Sequence, residues 1–128
     1  MRFLKMRLVN IGPYHDPAEI QFSAGGTRNI VVFLGNNGSG KTSLMKAMTW
    51  TLYGSKEADE RFDIFCRKAR GIKDAYSEAE LVFAHQGRTY RINRRLEKTK
   101  PSVTSGTSLK ETCSLYVDGE KHDNASEL

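Results

Sequence analysis

Apolar and polar residues alternate in two short stretches near the start of the chain, 4–8 and 19–22. This alternation is the two-residue period of a strand with one buried face. The residues between the stretches, Asn10–Tyr14, include Gly12 and Pro13 and therefore predict a turn. We expect the two strands to pair antiparallel with one face toward the core. The positions predicted to face inward are Leu4, Met6, Leu8, Ile20 and Phe22.

Five consecutive apolar residues, Ile30–Leu34, are too few for a helix and predict a strand buried on both faces. The chain must turn at Gly35. Apolar residues then recur at i, i+4 and i+8, which predicts a helix with one face on a sheet, and Gly54 is expected to end it. The apolar stripe consists of Leu44, Met48 and Leu52, with Met45 and Ala47 beside it, whereas Trp50 is expected off the stripe and packed under a second sheet.

Turn-forming residues divide the rest of the chain into short elements. The segment Ser55–Tyr76 is polar and of mixed charge, which predicts a loop with one short helix. The dipeptide Gln86-Gly87 suits a tight hairpin. The connector Lys98–Ser108 has little apolar content, so we expect it to be mobile. The predicted strands are Ala79–Ala84, Thr89–Arg94 and Cys113–Val117, the last one turning at Asp118-Gly119, and a helix is expected to start at Asn124.

The eight residues from Gly35 to Thr42 match the pattern G-x-x-x-x-G-K-T. In this pattern backbone amides of a glycine-rich loop bind the phosphates of a nucleotide, and the next helix directs its positive N-terminal end at them. We expect Lys41 to bind the β- and γ-phosphates and Thr42 to ligate Mg²⁺, with Ser43 as the second choice. The pattern therefore predicts a site for ATP and Mg²⁺. Its members are Gly35, Asn36, Asn37, Gly38, Ser39, Gly40, Lys41, Thr42 and Ser43.

The 128 residues suffice for one domain with a core, but are few for a complete ATPase of this kind. Apolar residues make up 38% and charged residues 27% of the chain, and no apolar run is long enough to span a membrane. The N-terminus lacks the apolar core of a signal peptide, so we expect a cytoplasmic protein. Cys66 and Cys113 lack C-x-x-C spacing and are expected to be free thiols.

The net charge of +5 is concentrated in one segment. Between Ala84 and Pro101 there are six cations and one anion, which equals the whole excess. Cations on an extended ribbon neutralise DNA phosphates and release counterions, but they also protect a solvated edge strand from aggregation. Both interpretations stay open. Alternation places Arg91 and Arg95 on one face and Arg94 on the other. The candidate DNA contacts are Arg88, Arg91, Arg94, Arg95 and Lys98.

With these motifs in place, the chain resembles the N-terminal half of the ATPase head of the SMC, SbcC and RecF class, the coiled-coil ABC-type ATPases of DNA repair and maintenance. The resemblance rests on the opening segment Leu4–Tyr14, on Asn37 in the phosphate loop, and on the helix end Leu52-Tyr53-Gly54. It covers nearly the whole chain. Within the class, Phe65–Ala69 and the strands after it look most like DndD-type proteins of bacterial DNA defence.

The resemblance implies an α/β P-loop NTPase fold with a mixed central sheet and an antiparallel β lobe. Residues 1–29 and 76–121 would form mainly the β lobe, and 30–54 the strand, phosphate loop and helix. In this class two heads sandwich two ATP molecules, pairing through their C-terminal half-heads, and bind duplex DNA together with a nuclease or other effector. The expected settings are double-strand-break repair, chromosome maintenance and antiviral defence.

The aspartate and glutamate that serve hydrolysis in this class follow a long coiled coil, and this chain has no strand ending in Asp-Glu. The glutamine loop is also missing. We therefore expect Leu128 to be a truncation point, and this chain alone to bind ATP weakly without hydrolysing it. Two other functions stay open. One is a non-catalytic, nucleotide-dependent DNA clamp, and the other is a small-molecule kinase, which would need a lid and an acceptor site.

The same resemblance suggests further contacts to the nucleotide. Members of the class can place an arginine after the phosphate-loop helix near the γ-phosphate, and Arg67 is the choice among Arg61, Arg67, Lys68 and Arg70. A solvated loop is the alternative. Asn10 and Tyr14 lie where members contact the base or ribose, although turn formation alone would also explain both.

Overall fold

An antiparallel sheet of six strands carries the fold in the described part of the chain, with the strand order β2-β1-β3-β4-β5-β6. The computed structural model describes residues 2–12, 14, 16–22, 41–55 and 57–122, with the side chains of residues 41, 42 and 67 outside that description. The strands are β1 (Arg2–Val9), β2 (Ala18–Gln21), β3 (Tyr76–His85), β4 (Arg88–Lys98), β5 (Leu109–Val117) and β6 (Glu120–His122), and the helices are α1 (Lys41–Tyr53) and α2 (Ala58–Ile64).

The first two strands confirm the prediction from alternation. β1 pairs antiparallel with β2, and Met6 lies opposite Ile20. Met6 and Leu8 are fully buried, while the intervening Arg7 is exposed. The turn between them is closed by hydrogen bonds in both directions between Ile11 and Tyr14, of 3.1 and 2.8 Å. Hydrophobic burial of one face therefore sets the register of this pair.

The ribbon formed by β3 and β4 turns where the sequence predicts. Gln86 and Gly87 both have positive φ, at 50° and 77°. This is the backbone of a two-residue turn whose twist matches that of the flanking strands. Asp118 and Gly119, at 49° and 87°, repeat this arrangement between β5 and β6. Strands β3 and β4 are longer than predicted, because charged residues on the outer face extend their pairing, which runs from His85↔Arg88 to Tyr76↔Glu97.

Helix α1 packs on the inner face of the sheet and ends at Tyr53, as predicted, but its buried face is rotated from the expected stripe. Leu44 is buried, while Met48 and Leu52 are only partly buried. Met45, expected beside the stripe, is 59% exposed, so that prediction is wrong. The sheet-facing positions with the deepest burial are Leu44, Ala47, Trp50 and Thr51. Trp50, expected off the buried face and under a second sheet, is instead buried with Leu44 and Ala47 in the core of the one sheet that the described residues form, so that prediction is wrong.

The connector between β4 and β5 is not loose, and the prediction that it is mobile is wrong. Val103 is only 5% exposed, and its amide donates to the Arg70 carbonyl at 3.4 Å. Gly106 lies so close to α2 that a Cβ there would be 1.5 Å from the Ala58 carbonyl oxygen. The low apolar content did not reveal this packing, because Gly106 packs closely by having no side chain and backbone hydrogen bonds hold the rest of the connector.

Three predictions fall outside the described residues. They are the strand Ile30–Leu34, the loop Gly35–Gly40 and the helix start at Asn124. The mixed part of the sheet and the proposed division of the chain at 29 and 76 therefore stay predictions. The segment 55–75 contains the one short helix expected, α2, followed by a single 3-10 turn at Arg67–Ala69.

The contact of Gly106 with α2 gives a stability prediction. The substitution Gly106→Ala should destabilise the fold by about 1–3 kcal/mol or more, because the added methyl group meets a backbone oxygen that cannot move without shifting α2. Urea unfolding followed by circular dichroism measures the loss. Gly71→Ala is the matched control, since no atom lies within 4 Å of its added Cβ, and it should change stability by less than about 0.5 kcal/mol. Equal midpoints for the two variants would contradict the packing described here.

Candidate functional site

The N-terminal end of α1 is the part of the described structure nearest in sequence to the predicted phosphate loop. The helix begins at Lys41, directly after the glycine-rich sequence. The backbone amides in the first turn of a helix have no partner within the helix and can bind an anion. The loop residues Gly35, Asn36, Asn37, Gly38, Ser39 and Gly40 and the side chains of Lys41 and Thr42 lie outside the described part.

A close approach between Gly12 and Ser43 brings the turn after β1 against this helix end. Gly12 has a φ of +51°, and a Cβ there would be 3.2 Å from both Cβ and Oγ of Ser43. Glycine therefore satisfies both the backbone conformation and the spacing. Beside this contact lies an open cleft of about 400 Å³. Its lining residues are Gly12, Ser43, Phe62, Asp63, Phe65, Cys66, Lys68 and Arg70.

Asn10 joins three segments of the backbone at the edge of this region. It has a φ of 52°, and its Nδ2 donates to the Tyr76 carbonyl at 2.8 Å. Its carbonyl accepts from Ser77 Oγ at 2.5 Å and from the Cys66 amide at 3.0 Å. Its buried Oδ1 has no hydrogen-bond partner among the described residues. The side-chain amide nitrogen thus bonds the fold, whereas Oδ1 is left without a partner among the described residues.

The cations after α2 have different environments. Arg70 stacks on the Phe62 ring at 3.7 Å and donates to the Phe62 carbonyl at 3.0 Å. Arg61 donates to the Gly106 carbonyl at 3.3 Å and so helps to hold the connector. Lys68 is exposed on the cleft. The backbone of Arg67 lies in the 3-10 turn, whereas its side chain is outside the description.

A polar network that the sequence did not reveal holds the opposite end of α1. Glu111 on β5 accepts hydrogen bonds from Trp50 Nε1 at 2.5 Å and from Ser55 Oγ at 2.8 Å. Arg94 on β4 donates from Nε to the Thr51 carbonyl at 3.1 Å. The Nη1 atom of Arg94 is 3.6 Å from Glu111 Oε2. Arg94 therefore faces the helix, opposite to Arg91 and Arg95, and does not belong to the outer basic surface.

The outer face of the sheet carries a layer of paired charges. Glu78 lies 3.6 Å from Arg7 and 3.5 Å from Arg95. Arg95 also lies 2.8 Å from Glu97 and stacks over the Tyr76 ring at 3.7 Å. Arg91 is likewise paired with Glu80, at 3.7 Å, and it stacks over the Tyr116 ring at 4.1 Å. Two of the candidate DNA contacts, Arg91 and Arg95, are thus not free cations.

The less neutralised cations lie at the two ends of the β3–β4 ribbon. Arg88 is exposed beside the hairpin turn and makes no ion pair with any described residue. At the other end, an open cleft of about 770 Å³ lies between residues 71–76 and 95–101. Lys73 and Lys100 line it and are exposed, and Lys98 donates to the Ile72 carbonyl. Asp74 and Glu97 also line this cleft, which leaves it moderately basic.

Across residues 2–122 as described, no three His, Cys, Asp or Glu side chains come together as a metal site. None of the helices in the same residues has the length and apolar character to cross a membrane. Both cysteines are free thiols, as predicted. Cys66 is buried beside Gly12, and Cys113 is half-buried near Arg94 and Glu111.

The fold is similar to that of the SMC head domain from Thermotoga maritima, with a TM-score of 0.58 and 22% sequence identity over 99% of this chain and 40% of that chain. The fold is therefore that of an SMC head domain, which confirms the predicted fold class.

The family model described as an AAA domain matches residues 5–127. The chain belongs to this family. It is 29% identical over 105 residues to the DNA double-strand break repair Rad50 ATPase of Thermoplasma volcanium, covering 82% of this chain. It is 32% identical over 122 residues to the SbcC component of the nuclease SbcCD of Staphylococcus aureus, covering 94% of this chain.

These relatives confirm the predicted SMC, SbcC and RecF class, while the DndD-like subdivision stays a prediction. The chain spans 11% and 12% of the length of the two relatives.

The surroundings of Cys113 give a prediction on pH dependence. Burial raises the pKa of its thiol; the nearby Arg94 acts to lower it and Glu111 to raise it. Alkylation by iodoacetamide should therefore reach its half-maximal rate at a higher pH in the folded chain than in urea. Mass spectrometry of the peptide carrying Cys113 measures both profiles. Since the folded state holds the proton more tightly, the stability contributed by this group should be lost as the pH rises through the folded pKa. Coinciding profiles would contradict the burial.

Proposed function

We propose that this chain is the ATP-binding part of an ATPase head that acts on DNA. The observation that carries the proposal is the position of the G-x-x-x-x-G-K-T sequence. It leads directly into α1, whose first turn borders an open cleft lined by Lys68 and Arg70. Anion-binding amides, a helix N-terminus and nearby cations favour a polyphosphate ligand.

The residues of the chain fit this ligand. Gly35–Gly40 would direct their amides at the phosphates, and Lys41 would neutralise the β- and γ-phosphates. The Thr42 hydroxyl, or Ser43 as the second choice, would hold Mg²⁺, which when bound would neutralise phosphate charge. The close packing of Gly12 on Ser43 supports this arrangement, because a residue without a side chain lies against the first turn of α1 at this point.

The cleft beside Gly12 is the proposed position of the remaining part of the nucleotide. Its volume of about 400 Å³ falls in the range of small-molecule sites. Its Phe65 and Phe62 supply apolar surface, and Asn10 Oδ1 is a buried acceptor nearby without a partner in the described chain. Arg67 remains a candidate for the γ-phosphate.

Hydrolysis is proposed only for a complete head paired with a second head. The reason is that this sequence has no strand ending in the Asp-Glu pair that members of the class use for hydrolysis. The name of the Rad50 relative supports an ATPase in DNA double-strand break repair, and the name of the SbcCD relative supports a nuclease partner. A nuclease or effector partner, a coiled coil, a role in antiviral defence and a cytoplasmic location belong to the same proposal. A non-catalytic DNA clamp is the alternative, and it differs by binding ATP without turnover in the complete protein.

Duplex DNA is the proposed second ligand, and the free lysines are better candidates for it than the paired arginines. A cation already held by a carboxylate releases fewer counterions when a phosphate approaches. Lys73 and Lys100 are exposed on one cleft that Lys98 also lines, and Arg88 is exposed at the hairpin end. Arg91 and Arg95 would contribute only after leaving Glu80 and Glu78.

Nucleotide binding can be tested by replacing the lysine of the phosphate loop. Lys41→Ala should weaken Mg-ATP binding by about 1.5 to 3 kcal/mol, the worth of hydrogen bonds to a charged group, or roughly 10- to 100-fold in Kd. Isothermal titration calorimetry measures the change. Lys46→Ala, which removes an exposed lysine later in the same helix, is the control and should bind like the wild type. A wild-type chain that does not bind Mg-ATP would overturn the proposed function.

The basic cleft can be tested through the salt dependence of DNA binding. The double variant Lys73→Ala with Lys100→Ala should bind a fluorescent duplex more weakly at low salt. It should also lower the slope of log Kd against log salt by about 2, one for each phosphate that is no longer neutralised. Anisotropy titrations at several salt concentrations measure this. Lys46→Ala with Lys121→Ala removes the same charge from other exposed positions. Equal slopes in the two double variants would show that the cleft is not the DNA contact.

A further inference from the structure

The C-terminal end of α1 is fixed more firmly than a helix end requires. An αL glycine already ends it, since Gly54 has a φ of +76° and its amide donates to the Trp50 carbonyl at 2.7 Å. Arg94 adds a cation on the Thr51 carbonyl at 3.1 Å, where the helix dipole is negative. Glu111 then accepts from both Trp50 and Ser55. Both charged side chains come from the sheet, so the helix end is bonded to β4 and β5.

These contacts are shielded and leave little room for adjustment. The side chains of Arg94 and Glu111 are only 13% and 18% exposed. A Cβ at position 54 would lie 2.9 Å from an Arg94 nitrogen and 3.1 Å from a Glu111 oxygen. A partly buried pair of this kind contributes mainly geometry, because desolvation of the charges offsets most of their attraction. The network therefore determines where the end of α1 lies, more than how stable the fold is.

The position of this end controls the position of the opposite end. A helix of 13 residues is about 20 Å long. A tilt of about 3° at its C-terminus would move its first turn by on the order of 1 Å over that length. Displacements of this size are large for groups that must meet a bound ligand. The first turn is also where the phosphate loop joins the helix.

We propose that Arg94 and Glu111 are positioning residues for the nucleotide site, acting through α1 on the amides and side chains at its N-terminal end. The inference rests on the proposed function, since it requires the site at Lys41. It assigns a role to an arginine that the sequence suggested as a DNA contact. It also predicts that nucleotide binding and the helix-end network influence each other, as any pair of coupled sites must.

Trp50 offers a direct readout, because it is the only tryptophan of the chain and donates to Glu111. It lies nine residues after Lys41, about 14 Å along the helix axis, so a nucleotide at the phosphate loop does not touch it. Addition of Mg-ATP should nevertheless change Trp50 emission in the wild type, since the helix end and the network respond together. A residue with a purely structural role would not produce this change.

The experiment measures Mg-ATP affinity and the Trp50 response in Arg94→Met, Glu111→Ala and Glu111→Gln, at a temperature where each full chain is folded. Arg94→Met and Glu111→Ala should raise Kd by about 2- to 30-fold, the range found for residues along coupled networks. Glu111→Gln keeps an acceptor for Trp50 and Ser55 and should recover most of the affinity. Arg94→Lys serves if Arg94→Met does not fold, because it retains the cation without the Nε donor.

Val117→Ala is the control for general destabilisation. Val117 is a buried residue of β5 outside the main core cluster, so its truncation should lower stability and leave Kd and the Trp50 response unchanged. Wild-type affinity and an unchanged Trp50 response in the Arg94 and Glu111 variants would overturn the positioning role alone. A wild-type chain that binds no Mg-ATP would remove the proposed function and this role together.

Discussion

Burial of one face of α1 against the antiparallel sheet is the constraint on which the rest of the structure depends. Leu44, Ala47 and Thr51 meet the sheet with almost no exposed surface, and the helix cannot rotate without exposing them. This packing sets the direction of the helix axis, so that the first turn points to the β1 turn at Gly12 and the last turn to Arg94. The glycine-rich sequence therefore precedes one end of the helix, and Arg94 and Glu111 hold the other.

The sheet separates two kinds of electrostatics on its two faces. On the outer face, carboxylates of β3 neutralise arginines of β4 whose side chains are 45% and 36% exposed, and pairs of this kind contribute little to stability. On the inner face, Arg94 and Glu111 are shielded and fix a geometry. Neighbouring arginines in the sequence thus serve different purposes, because the pleat sends Arg94 and Arg95 to opposite sides.

Local chemistry predicted the turns and the helix end well. Gln86-Gly87, Asp118-Gly119 and Gly54 all need positive φ, and that requirement is visible in the residues themselves. The partners of charged residues were not visible, since Arg94 and Glu111 lie 17 positions apart and meet only through the register of β4 and β5. The rotation of α1 escaped prediction because Met45 and Met48 carry the same apolar signal, and only the sheet decides which one it covers. The packed connector was missed because Gly106 contributes by having no side chain.

The junction at Asn10 bears on how sequences of this kind can change over time. The side chain of Asn10 donates to the Tyr76 carbonyl, and its main-chain carbonyl accepts from the Ser77 hydroxyl and the Cys66 amide. Its left-handed backbone restricts which residues can replace it. The Ser77 hydroxyl bonds a main-chain oxygen, so its contribution does not depend on the side chain at position 10 as long as the left-handed backbone is kept. Among natural homologues, position 10 is therefore expected to favour residues that tolerate this backbone, asparagine, aspartate or glycine, whichever residue stands at position 77.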